Sequence, residues 1–223
     1  MNPRYERNVP ALSEKECDTL LGKRVLVVGC GGLGGHLIDM LARIGVGMLR
    51  VVDGDVFEPS NLNRQLLSEV PLLGVSKAKA AAAKVSRINP EISVEAVDSF
   101  LTEKNVRRLL LFCDVVLDGL DNIESRRILA KECERAGIPY IYGAVNGWVA
   151  QAAISMPGDH LVEKLYPEGS VLKNKSVLSF TPALCASMQV SLCVKLLTGR
   201  QVETGKLYYF DLLNQEYETI PMA

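Results

Sequence analysis

A short apolar run followed by a cluster of glycines places the strongest limit on the fold of this chain. Residues 24–29 read RVLVVG, a continuous β-branched run typical of parallel strands that are buried on both faces. The pattern Gly29-x-Gly31-x-x-Gly34 follows and leads into an apolar-periodic segment that predicts a helix over about 34–44. Strand, glycine turn and helix in this order predict a unit that binds a nucleotide phosphate at the helix N-terminus.

Strand and helix patterns continue to alternate through the first 150 residues. Further strands are predicted at 48–53, 92–97, 113–119 and 139–145, and helices at 13–21, 76–88, 103–112 and 125–136. This alternation predicts an α/β fold with a Rossmann-like, doubly wound and mostly parallel sheet. Beyond residue 150 the pattern changes to a strand at 151–156, an irregular stretch at 157–176, a helix at 182–197 and a hairpin of 206–211 and 215–220. We expect this C-terminal part to add antiparallel strands beside the parallel sheet.

Size and composition fit one globular domain. The chain has 223 residues, of which 48% are hydrophobic and 23% charged, enough to bury a sizeable core. We expect a single domain over 1–223, made of an N-terminal helical arm (1–22), a nucleotide-binding core (23–150) and a crossover segment, helix and terminal strands (151–223). The formal net charge of −1 argues against general nucleic-acid binding.

The sequence shows no signal for secretion, membrane insertion or zinc binding. The first ten residues lack the apolar stretch of a secretory signal. Segment 176–194 carries no Asp, Glu, Lys or Arg, but its many polar side chains favour a buried core helix over a membrane span. Cysteines lie at 17, 30, 113, 133, 185 and 193, never in CxxC spacing. We therefore expect reduced thiols in a cytoplasmic protein, with no structural zinc.

The glycine turn and the end of the second predicted strand indicate a nucleotide but do not identify it. Glycine lets the backbone approach a phosphate closely, and the helix N-terminus offers free N–H groups. Asp53 ends the second strand, where a carboxylate can accept hydrogen bonds from ribose hydroxyls. The alternative is that these glycines serve only tight packing of the helix on the strand.

The loop at 55–65 and the start of the next helix add polar and cationic groups. Asn61, Arg64 and Gln65 are suited to holding phosphate oxygens, although such a loop can equally be solvated surface. Lys77 falls in the first turn of a predicted helix, where a cation opposes the helix dipole. A phosphate ligand would explain this position, and a solvated lysine is the alternative.

Two carboxylates, Asp118 and Asp121, lie at the C-terminal end of the fourth predicted strand, where ligands bind in α/β folds. A carboxylate there can hold Mg²⁺, which usually combines one or two protein carboxylates with substrate phosphates. The alternative is that Asp121 or Asn122 simply caps the next helix.

Four segments in fixed order resemble one family. They are GxGGLGG, VVDGDVFEPSNLNRQ, GxSKAxAAAxxxxxINP and LDGLDNxxxR. Together they resemble the ThiF/MoeB/HesA family of ubiquitin-activating-enzyme-like adenylyltransferases, strongly over 4–150 and loosely over 177–220. The resemblance implies an enzyme that uses Mg²⁺ and ATP to adenylate the C-terminal Gly-Gly carboxylate of a small ubiquitin-like sulfur carrier (ThiS- or MoaD-like). Pyrophosphate is released, and a sulfur donor then acts in thiamine or molybdopterin synthesis.

The resemblance also implies roles for individual residues. The implied nucleotide-binding residues are Gly29, Gly31, Gly32, Gly34, Asp53, Asp55, Asn61, Arg64, Gln65, Lys77, Asp121, Asn122 and Arg126. Arg64, Lys77 and Asp121 would be catalytic, with Asp121 holding Mg²⁺. Residues 4–8 (RYERN) resemble the family's RYxRQ segment. Arg7 would then be a further catalytic residue that reaches the ATP of the partner subunit in a homodimer.

The chain departs from the family in its cysteines. It lacks the two zinc-binding CxxC pairs of many members, and its crossover stretch at 156–182 has no cysteine where the family often has Thr-Cys. We expect Cys185 and Cys193 to lie in the core of the apolar helix and His36 to be packed rather than catalytic. Adenylation without a thiol relay from this loop is therefore predicted.

Three other functions remain open at this point. The chain could resemble a tRNA threonylcarbamoyladenosine dehydratase, or a relative that adenylates a peptide carboxylate. It could also be an NAD-binding module, but a hydride-transfer site needs no triphosphate clamp, so the loop at 58–65, Lys77 and Asp121 argue against this function.

Overall fold

The structure of the protein, a computed structural model, describes residues 2–171 and 176–222. Part of the predicted crossover segment, at 172–175, lies outside the described residues. The strands are β1 (Arg24–Val28), β2 (Met48–Val52), β3 (Ser93–Val97), β4 (Val115–Asp118), β5 (Tyr140–Asn146), β6 (Val149–Ser155), β7 (Lys206–Asp211) and β8 (Glu216–Pro221). The α-helices are α1 (Glu14–Leu21), α2 (Gly32–Ile44), α3 (Lys77–Ile88), α4 (Val106–Leu110), α5 (Ile123–Ala136), α6 (Leu161–Leu165) and α7 (Phe180–Leu197).

The described strands form one eight-stranded sheet in the order β3-β2-β1-β4-β5-β6-β7-β8. The first five strands in this order are parallel, and β6, β7 and β8 follow β5, each antiparallel to the strand before it. The α/β prediction and the predicted antiparallel addition are both confirmed. Strand order reverses between β1 and β4, and such a switch point opens a ligand crevice at the C-terminal ends of the strands.

Successive residues of the parallel strands point to opposite faces of the sheet, and each face has its own core. Val25 and Val27 of β1 pack with helices α2, α3 and α7 on one face. Leu26 and Val28 pack with α4, α5 and α6 on the other. Burial on both faces accounts for the continuous apolar run in the sequence, because a strand covered by helices on both sides needs no polar face.

Helix α7 is long and apolar enough to cross a membrane by length and composition. In the structure it packs against α2, β5 and β6. Gln189, in its middle, is fully buried and donates to the carbonyls of Asp118 (2.9 Å) and Ile141 (3.0 Å). These contacts match the sequence prediction of a buried core helix.

The helices differ from the sequence pattern in several places, of which α2, α4 and α6 are the clearest. Helix α2 begins at Gly32, two residues before the apolar periodicity starts, because the glycine turn itself forms the first helical turn. Helix α4 is shorter than predicted, since Asn105 accepts from the backbone of Thr102 before it and Phe112 adopts a positive φ after it. Helix α6 forms within the stretch predicted to be irregular.

Candidate active site

A cleft of about 870 Å³ opens at the C-terminal ends of β1, β2 and β4. Most of the residues expected from the sequence line it together. These are Gly29, Gly31, Gly32, Asp53, Asp55, Arg64, Gln65, Lys77, Asp121, Asn122 and Arg126. Gly34, Asn61 and Arg7 do not line the cleft.

The glycines of the turn divide into two structural roles. Gly29 has φ +95°, and a Cβ there would lie 2.5 Å from the Gly119 carbonyl oxygen. A Cβ on Gly34 would lie 1.7 Å from the Gly29 carbonyl oxygen, so Gly34 is required for close packing of α2 on the turn. Gly31 is the N-cap of α2 and, with Gly32, faces the cleft beside Gln65 and Arg64. The packing alternative therefore explains Gly34, whereas Gly31 and Gly32 lie at the helix N-terminus where it faces the cleft.

Asp53 holds the glycine turn in place. Its carboxylate accepts from the backbone N–H groups of Cys30 (2.7 Å) and Asp55 (2.8 Å). Burial raises the pKa of this carboxyl, and the two N–H donors oppose the shift. Asp53 thus fixes the end of β2 against the turn after β1 while it lines the cleft.

Lys77 pairs with Asp55 at the first turn of α3. The lysine side chain is only 8% exposed, and its Nζ lies 3.1 Å from Asp55 Oδ2. The Lys77 amide also donates to the Asp55 carbonyl (2.9 Å). An ammonium carries three donors, so Lys77 can hold Asp55 and a phosphate oxygen at once.

Arg64 and Gln65 border the cleft next to the glycine turn. Arg64 Nη1 donates to the Ser60 carbonyl (2.9 Å) and to Asn63 Oδ1 (2.8 Å), which fixes the guanidinium. Gln65 is 7% exposed, and its Oε1 has no hydrogen-bond partner among the described residues. Gln65 Nε2 lies on the side of the glycine turn, 3.5 Å from where a Cβ on Gly31 would lie. Its NH₂ group can donate to an acceptor such as a phosphate oxygen.

Asn61 lies behind this loop rather than in the cleft. It is 7% exposed, and its Oδ1 accepts from the backbone N–H of Glu58 (3.0 Å). Its side chain therefore shapes the turn that presents Arg64 and Gln65.

The loop after β4 supports both sequence interpretations, each for a different residue. Asn122 is the N-cap of α5, where its Oδ1 accepts from the Ser125 amide (2.9 Å). Asp121 is exposed and lines the cleft. One such carboxylate fits Mg²⁺ in a nucleotide site, because substrate phosphates supply further oxygen ligands. Within 2–171 and 176–222, no three His, Cys, Asp or Glu side chains are grouped to hold a metal ion by themselves.

Arg126 and Asp118 form a buried pair under this loop. Arg126 Nη1 lies 3.1 Å from Asp118 Oδ2, and both side chains are almost fully buried. Burial raises the pKa of the Asp118 carboxyl, while Arg126 and a hydrogen bond from the Tyr140 hydroxyl act in the opposite direction. Of Asp118 and Asp121, the two carboxylates predicted at the end of the fourth strand, only Asp121 faces the cleft.

The sequence pattern did not indicate the apolar end of the cleft. Phe100 is 62% exposed yet lines the cleft, together with Leu101 and Leu120. A Cβ on Gly54 would lie 2.7 Å from the Phe100 ring, so the ring rests on the backbone after β2. An exposed aromatic residue just past the third strand was the only signal for this surface.

Arg7 is exposed on the short 3₁₀ helix Pro3–Asn8, away from the cleft of its own chain. This arm is anchored by the buried Tyr5, whose hydroxyl accepts from Asn89 Nδ2 (2.8 Å). Arg4 also donates to the Ile88 carbonyl (2.6 Å) at the end of α3. The role of Arg7 in a partner's site therefore remains a prediction.

The cysteines of α7 are in the core, as expected. Cys185 and Cys193 are fully buried. Burial raises the pKa of Cys185 to about 12 and that of Cys193 still further. Neither thiol is available as a thiolate at neutral pH.

Comparison with known proteins agrees with this geometry. The sequence matches the ThiF family over residues 5–223. The chain belongs to the ThiF family. It is 38% identical over 209 residues to the SAMP-activating enzyme E1 of Haloferax volcanii, covering 91% of this chain and 77% of that protein.

Other ThiF-family relatives are longer than this chain. The chain is 35% identical to the probable adenylyltransferase/sulfurtransferase MoeZ of Mycobacterium tuberculosis, over 97% of this chain but 59% of that protein. It is 31% identical to the sulfur carrier protein ThiS adenylyltransferase of Bacillus subtilis, over 90% and 61%. The chain thus spans about three fifths of the length of these two relatives. Their names agree with the prediction of an adenylyltransferase.

Solved structures support the fold. The structure of E. coli MccB with ATP matches all of this chain and 72% of its own with a TM-score of 0.84 at 22% identity, which shows the fold alone. E. coli tRNA N6-threonylcarbamoyladenosine dehydratase, TcdA, matches 88% of this chain and 94% of its own with a TM-score of 0.76 at 25% identity.

Proposed function

We propose that this ThiF-family chain is an ATP-dependent adenylyltransferase that activates the C-terminal Gly-Gly carboxylate of a small ubiquitin-like sulfur-carrier protein. The observation that carries the proposal is that one cleft combines a glycine-lined helix N-terminus with Arg64, Lys77 and Asp121. We further propose that 1–223 forms one adenylation domain that acts as a cytoplasmic homodimer.

The charges of the cleft suit a triphosphate better than a dinucleotide. The α2 N-terminus, Arg64 and Lys77 can together neutralise several phosphate charges, and Asp121 can hold Mg²⁺, which when bound screens phosphate charge further. The apolar surface of Phe100 and Leu101 offers a face for the purine. In this arrangement, Asp53 lies between phosphates and purine, where the ribose belongs.

The cleft continues beyond the nucleotide along the antiparallel strands. This part is lined by small or uncharged side chains, namely Ala144, Val145, Asn146, Val149, Gln151, Ser176, Val177 and Tyr209. A flexible chain ending in two glycines fits an uncharged surface of this kind. Its terminal carboxylate would then arrive beside the phosphates.

The reaction needs no nucleophile from the enzyme. A carboxylate oxygen of the carrier attacks the α-phosphorus of ATP, the acyl–phosphate bond forms, and the bond to pyrophosphate breaks. Arg64 and Lys77 stabilise the charge that develops on the phosphate oxygens, and the amides of the glycine turn orient them. The cleft supplies positioning and two cations, Arg64 and Lys77, which is what this chemistry requires.

Three relatives support this kind of substrate by their names, which refer to SAMP, ThiS and molybdopterin synthase. They do not agree on a single pathway. We therefore propose a ThiS- or MoaD-type carrier as the class of partner, with a separate sulfur donor that acts on the adenylate.

A second candidate is a TcdA-like activity on the carboxylate of tRNA-bound threonylcarbamoyladenosine. The TcdA match, which covers 94% of that chain, favours it. The net charge of −1 does not. Exchange of pyrophosphate that depends on tRNA, and not on a carrier protein, would support this candidate.

The test of the proposed site is isotope exchange between pyrophosphate and ATP in the presence of a carrier ending in Gly-Gly. Arg64→Ala, Lys77→Ala and Asp121→Ala should each lower exchange by about 100-fold or more, because each removes a charge next to the transferred phosphate. Arg43→Ala is the matched control, since Arg43 pairs with Asp39 on the surface of α2 and lies outside the cleft.

All variants should keep the circular dichroism spectrum of the wild type. Tight NAD binding by the wild type with no exchange would contradict the proposal and favour the NAD-binding module. Exchange that persists in the Arg64→Ala and Lys77→Ala variants would show that the cleft is not the site of adenylation.

A further inference from the structure

Leu120, the residue before Asp121, is held on both sides by the buried pair of Asp118 and Arg126. The Leu120 amide donates to Asp118 Oδ1 (2.8 Å), and its carbonyl accepts from Arg126 Nη2 (2.5 Å). Because Asp118 and Arg126 also contact each other, these groups close a ring around one residue of the β4–α5 loop. The Leu120–Asp121 peptide is therefore held in place by the buried pair.

The same guanidinium is connected through Tyr142 to Tyr166, which lines the cleft. Arg126 lies 5.0 Å from the centre of the Tyr142 ring, within the range of a cation–π contact. The Tyr142 and Tyr166 hydroxyls are 2.6 Å apart, and Tyr166 lines the cleft. The Tyr166 carbonyl accepts from Arg127 (2.8 Å), so this residue is also held by its backbone. Arg126 thus joins the nucleotide side of the cleft to the side of the antiparallel strands.

Stability alone is a weak reason for such a pair. Two charges taken out of water lose hydration that their attraction often does not repay, and apolar replacements are frequently as stable. The Arg126 side chain is 4% exposed; its Nη1 makes an ionic contact with Asp118 without the geometry of a hydrogen bond, and its Nε has no hydrogen-bond partner among the described residues. It sits beneath the cleft surface, with one donor committed to the Leu120 carbonyl.

We propose that Asp118 and Arg126 are positioning residues that set the β4–α5 loop, and with it Asp121, for adenylation, and that Tyr142 and Tyr166 extend this support across the cleft. This inference rests on the proposed function for its activity readout. It differs from the role implied by family resemblance, in which Arg126 lines the nucleotide pocket as a binding residue. Arg126 would act through the Leu120 carbonyl instead.

A conservative substitution separates positioning from binding. Arg126→Lys keeps a cation near Asp118 but cannot hold Asp118, the Leu120 carbonyl and the Tyr142 ring at once. We expect kcat to fall by about 10- to 100-fold, as for a small misplacement of a reacting group. The KM for ATP should stay within about threefold, since the Arg126 side chain is 4% exposed and is proposed to act through Asp118 and the Leu120 carbonyl rather than on the nucleotide. Arg64→Lys, at a residue proposed to bind phosphate, should raise KM as well.

The pair should behave as one unit. Asp118→Asn should lower kcat about as much as Arg126→Lys, and the double variant should be little worse than either, because residues that act together are not additive. Arg135→Lys makes the same change on the same helix, at an exposed residue paired with Glu132. It should leave kcat unchanged.

Hydrogen exchange of the protein alone tests the inference without any assumption about activity. In Arg126→Lys, amide exchange in a peptide covering 119–123 should quicken by about tenfold, the effect of one lost hydrogen bond. A peptide covering β1 should not change. A KM effect as large as the effect on kcat/KM would assign Arg126 to nucleotide binding and overturn the inference. Unchanged amide hydrogen exchange at 119–123 would also overturn the inference. Absence of pyrophosphate exchange in the wild type would contradict only the proposed function.

Discussion

At the scale of single residues, a substitution of Phe100 tests nucleotide binding apart from the chemical step. Its ring is 62% exposed and lines the apolar end of the cleft. Stacking of a base on an aromatic ring contributes about 1–3 kcal/mol. Phe100→Ala should therefore raise the KM for ATP by about tenfold or more and leave kcat within about threefold.

Steady-state kinetics at saturating carrier would measure this effect. Phe112→Ala is the matched control, because Phe112 is 76% exposed but does not line the cleft. An unchanged KM for ATP in Phe100→Ala would place the purine elsewhere.

Several residue roles could be predicted from sequence because they follow from local patterns. Gly31 at a helix N-terminus and Asn122 as a cap are both visible in the order of residues. The burial of Arg126 was not predictable, because its partners Asp118 and Tyr142 come from two different strands. Asn61 was predicted to hold phosphate oxygens, but its side chain turns away from the cleft and accepts from the backbone N–H of Glu58, a contact that the sequence pattern did not indicate.

At the scale of elements, an ion pair between Glu16 and Arg200 joins helix α1 to the segment that follows α7. Helix α1 begins with a capping box, in which Ser13 and Glu16 exchange hydrogen bonds. Glu16 also accepts from Arg200 Nε (2.5 Å) and Nη2 (2.9 Å). Hydrogen bonds from Arg200 and from Ser13 lower the pKa of Glu16 from its ordinary value of 4.5 to about 2.

This shift gives a pH dependence of a definite sign. A carboxylate with a lowered pKa in the folded state stabilises the protein fully above its unfolded pKa, near 4.5, and loses that effect as the pH falls toward 2. Glu16→Gln should be less stable than the wild type at pH 7, and the difference should shrink as the pH falls from 4.5 toward 2. Urea unfolding at several pH values would measure it.

Glu14→Gln, in the same helical turn, should show a smaller difference, because no Arg200 contact is lost. High salt should reduce the Glu16 effect, since the pair is partly exposed. A difference between wild type and Glu16→Gln that stays constant from pH 7 to pH 3 would contradict the assignment.

The order and type of the elements could largely be predicted, because hydrophobic periodicity and the residues that begin and end helices and strands are local features of the sequence. Continuous apolar runs indicated the parallel strands, and helical periodicity indicated α1, α3 and α5, although α5 begins at Ile123, two residues before the predicted start. Helix α6 could not be predicted, since it has only five residues and follows His160 in a left-handed conformation held by Glu134. Its place depends on tertiary contacts with α5.

At the scale of the whole molecule, the sheet order explains why distant segments meet in one cleft. The C-terminal ends of β1, β2 and β4 lie side by side, which brings Gly31, Asp53 and Asp121 together. The position of α7 on the sheet could not be predicted from the sequence. It depends on Gln189, which reaches two sheet carbonyls over the bare backbone of Gly143.

The proposed homodimer makes a whole-molecule prediction through Arg7. Arg7→Ala and Asp121→Ala should each abolish adenylation when assayed alone. If Arg7 completes the partner's site, mixing the two after partial unfolding and refolding should restore about a quarter of wild-type activity per chain, because half the dimers regain one of two sites. No recovery in a mixture shown to contain mixed dimers would rule out action in trans.

The most direct measurement of the central claim uses the wild-type protein with ThiS-type and MoaD-type carriers in parallel. Each carrier is supplied with its C-terminal Gly-Gly intact or with the last glycine removed, and radiolabelled pyrophosphate exchange into ATP is followed. We expect exchange with at least one intact carrier and none with the shortened forms. Exchange that is absent with both carriers, or equal with intact and shortened forms, would contradict adenylation of a Gly-Gly carboxylate.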